Sequence, residues 1–305
     1  MRAVAYASEA SAPHLTIDAQ DFGDRYEVRH EGPPWGPHPL IEAAVAYMKT
    51  PRDLRLEVTI HSEAPPGAGT GTSAAVTVAL IGALDALTPG RMTPQEVAAA
   101  AHRVETELLH RQCGIQDQLA SAFGGLNYIE ITDYPQATVR PVVVPDATWS
   151  ELERRLVLIY LGKSHDSSAV HESVIRSLEH EGPNSPAIVE LRSAAPRSRD
   201  AILAGDFAGL GRAMIESTEA QGRLHPALVG TEARKVIAIA KEHGALGFKV
   251  NGAGGEGGSL TLLCRDGSAR RELIRHIEEA SPVLRSIPLR LSRQGLRVWR
   301  EDGVD

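Results

Sequence analysis

Residues 65–75 read Pro-Pro-Gly-Ala-Gly-Thr-Gly-Thr-Ser-Ala-Ala. This glycine-rich stretch separates two segments with different patterns of apolar residues. Before it, apolar residues alternate with polar ones at Leu54, Leu56, Val58 and Ile60, the period-two pattern of a strand with one buried face. After it, the small and apolar run 74–87 suits a tightly packed helix. The sequence therefore predicts a strand, a glycine loop and a helix, in that order.

The glycine loop places backbone N–H groups at the start of the predicted helix. Unsatisfied amides and the helix dipole together favour an anion such as a phosphate at that point. The hydroxyls of Thr72 and Ser73 add ligands for phosphate oxygens or for Mg²⁺. A Walker A loop is excluded, because that pattern needs a lysine where Thr72 stands. The alternative is a glycine-rich turn that only caps a buried helix.

Composition and charge limit the class of protein. The 305 residues are 42% hydrophobic, which suffices for one large domain or two medium ones, and we favour two. Lys and Arg number 32 against 39 Asp and Glu, a net charge of −7, and no basic run of five residues occurs. This balance argues against a nucleic-acid partner.

No membrane or export signal is recognisable in the sequence. The longest apolar stretch, 74–87, is interrupted by Asp85 and is too short to cross a bilayer, and the N-terminus lacks a signal-peptide pattern. Cys113 and Cys264 are too few for a disulfide framework and have no zinc-type spacing. We expect a cytoplasmic protein with no membrane partner. A monomer and a homodimer both remain open.

Periodicity and turn signals divide the rest of the chain. Thr93, Pro94 and Glu96 form a capping box ahead of a helix over 97–109. We place a lobe boundary near residue 150, between strands expected at 126–131 and 156–161. The second half predicts helices over 169–178, 187–203, 207–220, 231–243 and 269–279, and strands over 248–250, 260–264 and near Leu289 and Val298.

A second glycine cluster spans residues 252–257, Gly-Ala-Gly-Gly-Glu-Gly. It formally matches the dinucleotide-binding pattern GxGxxG, but that fingerprint must open a helix. Residues 259–264 read instead as a strand. We therefore expect a close backbone approach to a ligand or to a neighbouring loop.

Three motifs in this order resemble the GHMP kinases. Residues 65–75 resemble the second family signature, 251–258 the third, and 113–118 followed by 122–125 the segment that carries the catalytic aspartate in galactokinases and heptose-phosphate kinases. Within the superfamily, residues 116–118, 123–127 and 162–168 look most like the D-glycero-D-manno-heptose 7-phosphate kinases. Those enzymes phosphorylate an anomeric hydroxyl.

The resemblance implies an α+β, two-lobed GHMP kinase fold. An ATP-binding lobe similar to ribosomal protein S5 domain 2 would take residues 1–150, and a ferredoxin-like lobe would take 151–305. It implies phosphorylation of a sugar or sugar phosphate with ATP and Mg²⁺, with the anomeric hydroxyl of D-glycero-D-manno-heptose 7-phosphate as the first choice of acceptor. Another sugar, a cyclitol phosphate, or a nucleotide-binding pseudokinase are the alternatives.

The resemblance also implies roles for particular residues. Asp117 would be the catalytic base, and Ser73 and Glu105 would bind Mg²⁺. The nucleotide would lie on Pro66, Gly67, Ala68, Gly69, Thr70, Gly71, Thr72, Ser73 and Ala74. The acceptor would contact Asp117, Lys163, Ser164, Gly254 and Gly255.

Each of these roles has a plainer alternative. Glu105 would otherwise be an exposed helix carboxylate, and Asp117 a turn-forming residue. The hydroxyls and carboxylate at 166–168 are ordinary N-cap residues for a following helix.

The sequence departs from the family pattern in two places. The first signature, a Pro-x-Arg loop followed by glycines, is absent, and residues 1–7 resemble the strand that follows it. We therefore expect that this family segment precedes Met1 or has been lost together with part of the sugar site. Lys163 is a candidate for the basic partner of Asp117 that this loop would supply. The third signature carries Glu256, whose carboxylate would repel phosphate unless it points away.

Overall fold

The computed structural model describes residues 2–9, 14–28, 32–50, 54–64, 67–88, 91–163, 174–176, 185–252 and 254–301. These residues form two compact units. The first unit contains the described residues up to 64, then 71–139 and 292–301, and the second contains 67–70 and 140–291. The division expected at residue 150 thus lies near 140, and the end of the chain belongs to the first unit.

A four-stranded sheet forms one layer of the first unit. Its order is β1 (Arg2–Glu9), β4 (Leu54–His61), β2 (His14–Ala19) and β3 (Asp24–Val28). The β2–β4 pair is parallel, whereas the β1–β4 and β2–β3 pairs are antiparallel. In β4, Leu56, Val58 and Ile60 are buried, so the predicted alternation is confirmed.

Four helices and a hairpin complete the first unit: α1 (Pro39–Met48), α2 (Thr72–Asp85), α3 (Pro94–Arg103), α4 (Gln116–Phe123), and β5 (Asn127–Asp133) with β6 (Gln136–Pro141). The capping box of α3 is confirmed, because the Thr93 hydroxyl accepts from the Glu96 amide and the Glu96 carboxylate accepts from the Thr93 amide at 2.7 Å. The helical path continues beyond α3 as a π-helical turn, Val104–Leu108. Side chains from α2, α3 and α4 form one hydrophobic core with the sheet.

The second unit contains an antiparallel sheet in the order β10 (Arg285–Ile287), β7 (Leu156–Tyr160), β9 (Ser259–Leu263) and β8 (Gly247–Val250). Its helices are α5 (Asp146–Arg155), α6 (Pro186–Ala204), α7 (Phe207–Leu224), α8 (Thr231–Glu242) and α9 (Gly267–Ala280). The helices expected over 187–203, 207–220, 231–243 and 269–279 are therefore confirmed to within a few residues. The helix expected over 169–178 falls largely outside the described residues.

The strands expected near Leu289 and Val298 are wrong. Residues 288–301 contain neither helix nor strand, and the last strand is β10. Pro288 follows β10 and has no N–H to donate to a ladder. The segment beyond it instead bonds to the end of α4, where Gly125 N donates to Ser292 O at 2.9 Å and Leu296 N donates to Ala122 O at 3.1 Å.

Among the described residues, no helix combines the length and the apolar composition that a bilayer span requires.

Candidate active site

The first glycine loop has the conformation that its composition predicts. Gly67, Gly69 and Gly71 all have positive φ, between 67° and 70°, a region that side chains rarely tolerate. Gly71 is the N-cap of α2 and has no side chain with which to cap it. The first-turn amides of α2 therefore favour an anionic ligand. Pro66 lies outside the described residues.

Asp117 lies beside this loop. It is exposed, in the first turn of α4, and a Cβ built on Gly71 would lie 3.1 Å from its Cγ. Side-chain carboxylate and glycine N-cap are thus in contact within the first unit. The arrangement places a proton acceptor next to the helix start where a phosphate is expected.

Glu105 is buried, with 5% of its surface exposed, so the alternative of an exposed helix carboxylate is wrong. It lies on the π-helical turn Val104–Leu108, a rare conformation that is frequent at functional sites. Its carboxylate accepts hydrogen bonds from Gln118 Nε2 at 2.9 Å and from the Ser73 hydroxyl. The two predicted metal ligands, Ser73 and Glu105, are therefore hydrogen-bonded to each other.

Burial dominates the electrostatics of this carboxylate. It raises the pKa of Glu105 above its ordinary value, and the charge of Asp117 adds to the effect. The hydrogen bonds from Gln118 and Ser73 and the nearby charge of Arg111 act in the opposite direction. A bound cation would favour the ionised form of such a group.

The donor set around Glu105 suits a hard cation such as Mg²⁺. Gln118 is 1% exposed, and its Oε1 has no hydrogen-bond donor among the described residues. This orphaned oxygen, the Glu105 carboxylate and the Ser73 hydroxyl are all oxygen ligands or acceptors for metal-bound water. The residues present therefore fit the metal that the family resemblance implies.

Two residues next to Glu105, Gln118 and Cys113, received no role in the sequence analysis. The sequence did not indicate that Gln118 is buried beside Glu105, because glutamine side chains are usually exposed. Cys113 lies next to Gln118, with 4.0 Å between Sγ and Nε2. Burial, with a contribution from the charge of Glu105, raises the pKa of the Cys113 thiol to about 12, so it is a neutral neighbour rather than a nucleophile.

The second glycine cluster joins β8 to β9 in the second unit, and its predicted close backbone approach is confirmed. A Cβ on Gly254 would lie 1.8 Å from Leu228 O, and one on Gly257 would lie 2.5 Å from Lys163 O. Gly258 N also donates to Lys163 O at 2.9 Å. Only glycine fits at these two points. Because the cluster joins two strands and does not open a helix, it is not a dinucleotide-binding fingerprint.

Glu256 is turned towards its own unit. Its carboxylate accepts from the Thr231 amide at 3.1 Å and from the Thr231 hydroxyl at 3.3 Å. Thr231 is the first residue of α8, so Glu256 occupies the positive end of that helix. The repulsion expected from this carboxylate is offset locally.

The predicted acceptor-binding residues are divided between the units. Asp117 belongs to the first unit, whereas Lys163, Gly254 and Gly255 belong to the second. Ser164 lies outside the described residues. The structure thus brings together Gly71, Ser73, Glu105 and Asp117 in one unit, and the roles of the second-unit residues remain predictions.

Comparison with known proteins identifies the class. A profile of the GHMP kinases N terminal domain matches residues 39–125, and a profile of the GHMP kinases C terminal domain matches 198–282. A mevalonate kinase from Methanothermobacter thermautotrophicus is 31% identical over 270 residues, which are 86% of this chain and 80% of that enzyme. The chain belongs to the GHMP kinase family. It is a small-molecule kinase, and GHMP kinases use ATP as the phosphoryl donor.

Individual relatives differ in their acceptors. A D-glycero-alpha-D-manno-heptose 7-phosphate kinase from Campylobacter jejuni is 24% identical, covering 82% of this chain and 73% of the relative. A mevalonate kinase from Thermococcus sibiricus is 32% identical, covering 79% and 68%.

Solved structures match the fold. A D-glycero-D-manno-heptose 1-phosphate kinase from Bacteriodes thetaiotaomicron matches with a TM-score of 0.72 at 21% identity, covering 97% of this chain and 87% of that one. A Lactococcus lactis galactokinase in complex with galactose matches with a TM-score of 0.73 at 16% identity, covering 97% and 86%. The two-lobed GHMP kinase fold expected from the motifs is confirmed.

Proposed function

We propose that this kinase transfers the γ-phosphoryl group of ATP to a hydroxyl of a sugar phosphate. The acceptor that we favour is the anomeric hydroxyl of D-glycero-D-manno-heptose 7-phosphate. The observation that carries the proposal is the contact of Asp117 with Gly71 at the start of α2, next to the Ser73–Glu105 hydrogen bond. The motif at 116–118 and the heptose 7-phosphate kinase among the relatives support the choice of acceptor.

The chemistry requires positioning and charge neutralisation more than covalent catalysis. Asp117 accepts the proton of the acceptor hydroxyl while the hydroxyl oxygen forms a bond to the γ-phosphorus. The bond from the γ-phosphorus to the β,γ-bridging oxygen breaks, ADP leaves, and the proton passes from Asp117 to solvent. The first-turn amides of α2 and the hydroxyls of Thr72 and Ser73 hold the phosphates during this step.

Ser73 and Glu105 are the residues that would hold Mg²⁺. When bound, the ion neutralises charge on the β- and γ-phosphates. Gln118 fixes the Glu105 carboxylate through its Nε2, and its Oε1 would be available to accept a hydrogen bond from water bound to the ion. We propose a cytoplasmic location, which is supported by the use of ATP as donor and by two cysteines that form no disulfide.

Mevalonate is a second candidate acceptor. Relatives that are 31% and 32% identical to this chain are mevalonate kinases, whereas the heptose 7-phosphate kinase is 24% identical. Sequence identity at this level shows the family but does not determine the substrate, so the acceptor must be identified by experiment.

The test is ADP release from ATP and Mg²⁺ with one acceptor at a time: D-glycero-D-manno-heptose 7-phosphate, galactose, mannose, cyclitol phosphates and mevalonate. We expect the heptose phosphate to give the highest kcat/KM and Asp117→Asn to lower kcat by about 10³-fold or more, since the base is lost. Asp133→Asn, an exposed carboxylate at the end of β5, is the matched control. ATP binding by calorimetry without turnover on any acceptor would identify a pseudokinase and refute the proposal.

A further inference from the structure

A lysine lies between the sheet and a helix of the second unit, where an apolar residue would be expected. Phe248 and Val250 of β8 belong to the hydrophobic core, and Lys249 between them faces the opposite side, towards α7. Its Nζ donates to Gln221 Oε1 at 2.7 Å and to the carbonyl of Val250. No carboxylate among the described residues pairs with it.

Placing a cation in this interface is unfavourable. Burial alone lowers the pKa of Lys249 to about 8. Helix α7 lies close to the strand, because a Cβ on Gly211 would be 2.2 Å from Leu246 O. A leucine or methionine would fill the same volume without the desolvation of an ammonium group. The lysine therefore needs an explanation other than packing.

Lys249 determines the orientation of an amide. The ammonium group can only donate, so it holds Oε1 of Gln221 towards itself and directs the NH₂ group the other way. That group, Gln221 Nε2, donates to Gly252 O at 2.9 Å. Gln221 is 6% exposed, which leaves its amide few other partners. The result is a half-buried relay of hydrogen bonds from Lys249 through Gln221 to the first glycine of the second cluster.

Gly252 in turn lies against the first glycine loop. Its φ is +55°, and a Cβ built on it would lie 3.6 Å from Gly69 O and 3.9 Å from Gly69 Cα. Gly69 and Gly252 belong to the same unit. The backbone at Gly252 therefore lies near the loop that we assign to the nucleotide phosphates.

We propose that Lys249, acting through Gln221, is a positioning residue that holds Gly252 against Gly69 and thereby sets the affinity for ATP. The proposal rests on the assignment of residues 67–74 to the ATP phosphates. Neither side chain needs to touch the nucleotide, because their effect is carried by backbone contacts.

Three variants separate positioning from simple support of the fold. Gln221→Glu keeps an acceptor for Lys249 but cannot donate to Gly252. Lys249→Met lets the Gln221 amide rotate. The double variant Lys249→Met/Gln221→Met replaces the polar pair by apolar side chains of similar volume, which commonly preserves stability. Lys235→Met is the matched control, since Lys235 is an exposed lysine whose Glu232 contact is a surface ion pair.

We expect Gln221→Glu and the double variant to raise KM for ATP about tenfold, the effect of one lost hydrogen bond, while kcat stays within about twofold. The double variant should melt near the wild-type temperature but keep the raised KM. A double variant with both the melting temperature and the KM for ATP of the wild type would mean that the pair only supports the fold, and it would overturn the proposal. An unchanged KM in Gln221→Glu would overturn it as well.

Failure of the proposed kinase reaction gives a different result. If the wild-type enzyme phosphorylates no acceptor, the variants are compared by calorimetry with ATP alone. The dissociation constant should then rise about tenfold in Gln221→Glu and in the double variant. Equal dissociation constants for these variants and the wild type would refute the positioning role by itself.

Discussion

Substitution of Gly71 by alanine tests the contact on which the candidate active site depends. Gly71 has φ +70° and stands directly before α2. The added methyl group would lie 3.1 Å from Asp117 Cγ and 3.2 Å from Asp117 Cβ. Carbon atoms normally approach to about 3.5–4.0 Å, so one of the two groups must move by a few tenths of an ångström.

The structure indicates which group moves. Gly71 is held in the backbone of a helix start, whereas Asp117 is an exposed side chain, so we expect the Asp117 side chain to move. The left-handed backbone should by itself lower the free energy of unfolding by about 1–2 kcal/mol once the residue carries a side chain. A carboxylate displaced by a few tenths of an ångström should lower kcat by about tenfold.

Gly23→Ala is the matched control for this experiment. Gly23 lies in the same unit with φ +69°, and no described atom lies within 4 Å of a Cβ built on it. Both variants should melt at similar temperatures below the wild type, measured by thermal denaturation, and only Gly71→Ala should lose kcat in the ADP-release assay. Equal kcat in the two variants would refute the placement of Asp117 as the base beside Gly71.

Three further variants test other parts of the structure. Glu105→Gln should raise the Mg²⁺ concentration for half-maximal rate about tenfold or more, since a ligand charge is lost, while the exposed Glu107→Gln should not; equal effects would exclude Glu105 as a ligand. Thr93→Ala should lower the free energy of unfolding by about 1 kcal/mol through loss of the capping box and leave kcat unchanged; a large loss of kcat would contradict a purely structural role. In Lys249→Met, a denaturation series should show the wild type gaining up to about 3 kcal/mol relative to the variant between pH 8 and 10.5. In that range the unfolded wild type still binds the proton that the folded protein has released, so a constant difference would contradict the lowered pKa of Lys249.

Much of the fold and of the first glycine loop could be predicted from local sequence. The alternation in β4, the capping box at Thr93 and the three left-handed glycines of the loop depend on residues a few positions apart. Their conformations are set by backbone sterics and short-range hydrogen bonds, which sequence patterns encode directly. The order of the three motifs predicted that the chain belongs to the GHMP kinases, and the comparisons confirm this.

The sequence-based predictions were wrong where segments that are distant along the chain pack together. The sequence predicts strands near Leu289 and Val298, but Ser292 and Leu296 form backbone hydrogen bonds with the end of α4. Glu105 has the sequence context of an exposed helix carboxylate, and only the π-helical turn and the packing of α4 bury it beside Ser73 and Gln118.

The sequence by itself determined the two glycine loops, the helix that follows the first, and the aspartate at 117, because each is defined by local conformational preference or by motif. The tertiary structure alone decided that Asp117 touches Gly71, that Glu105 is a buried ligand candidate, and that Lys249 reaches Gly252 through Gln221. These contacts join residues 13 to 46 positions apart, and burial and hydrogen bonding across such separations depend on how the elements pack.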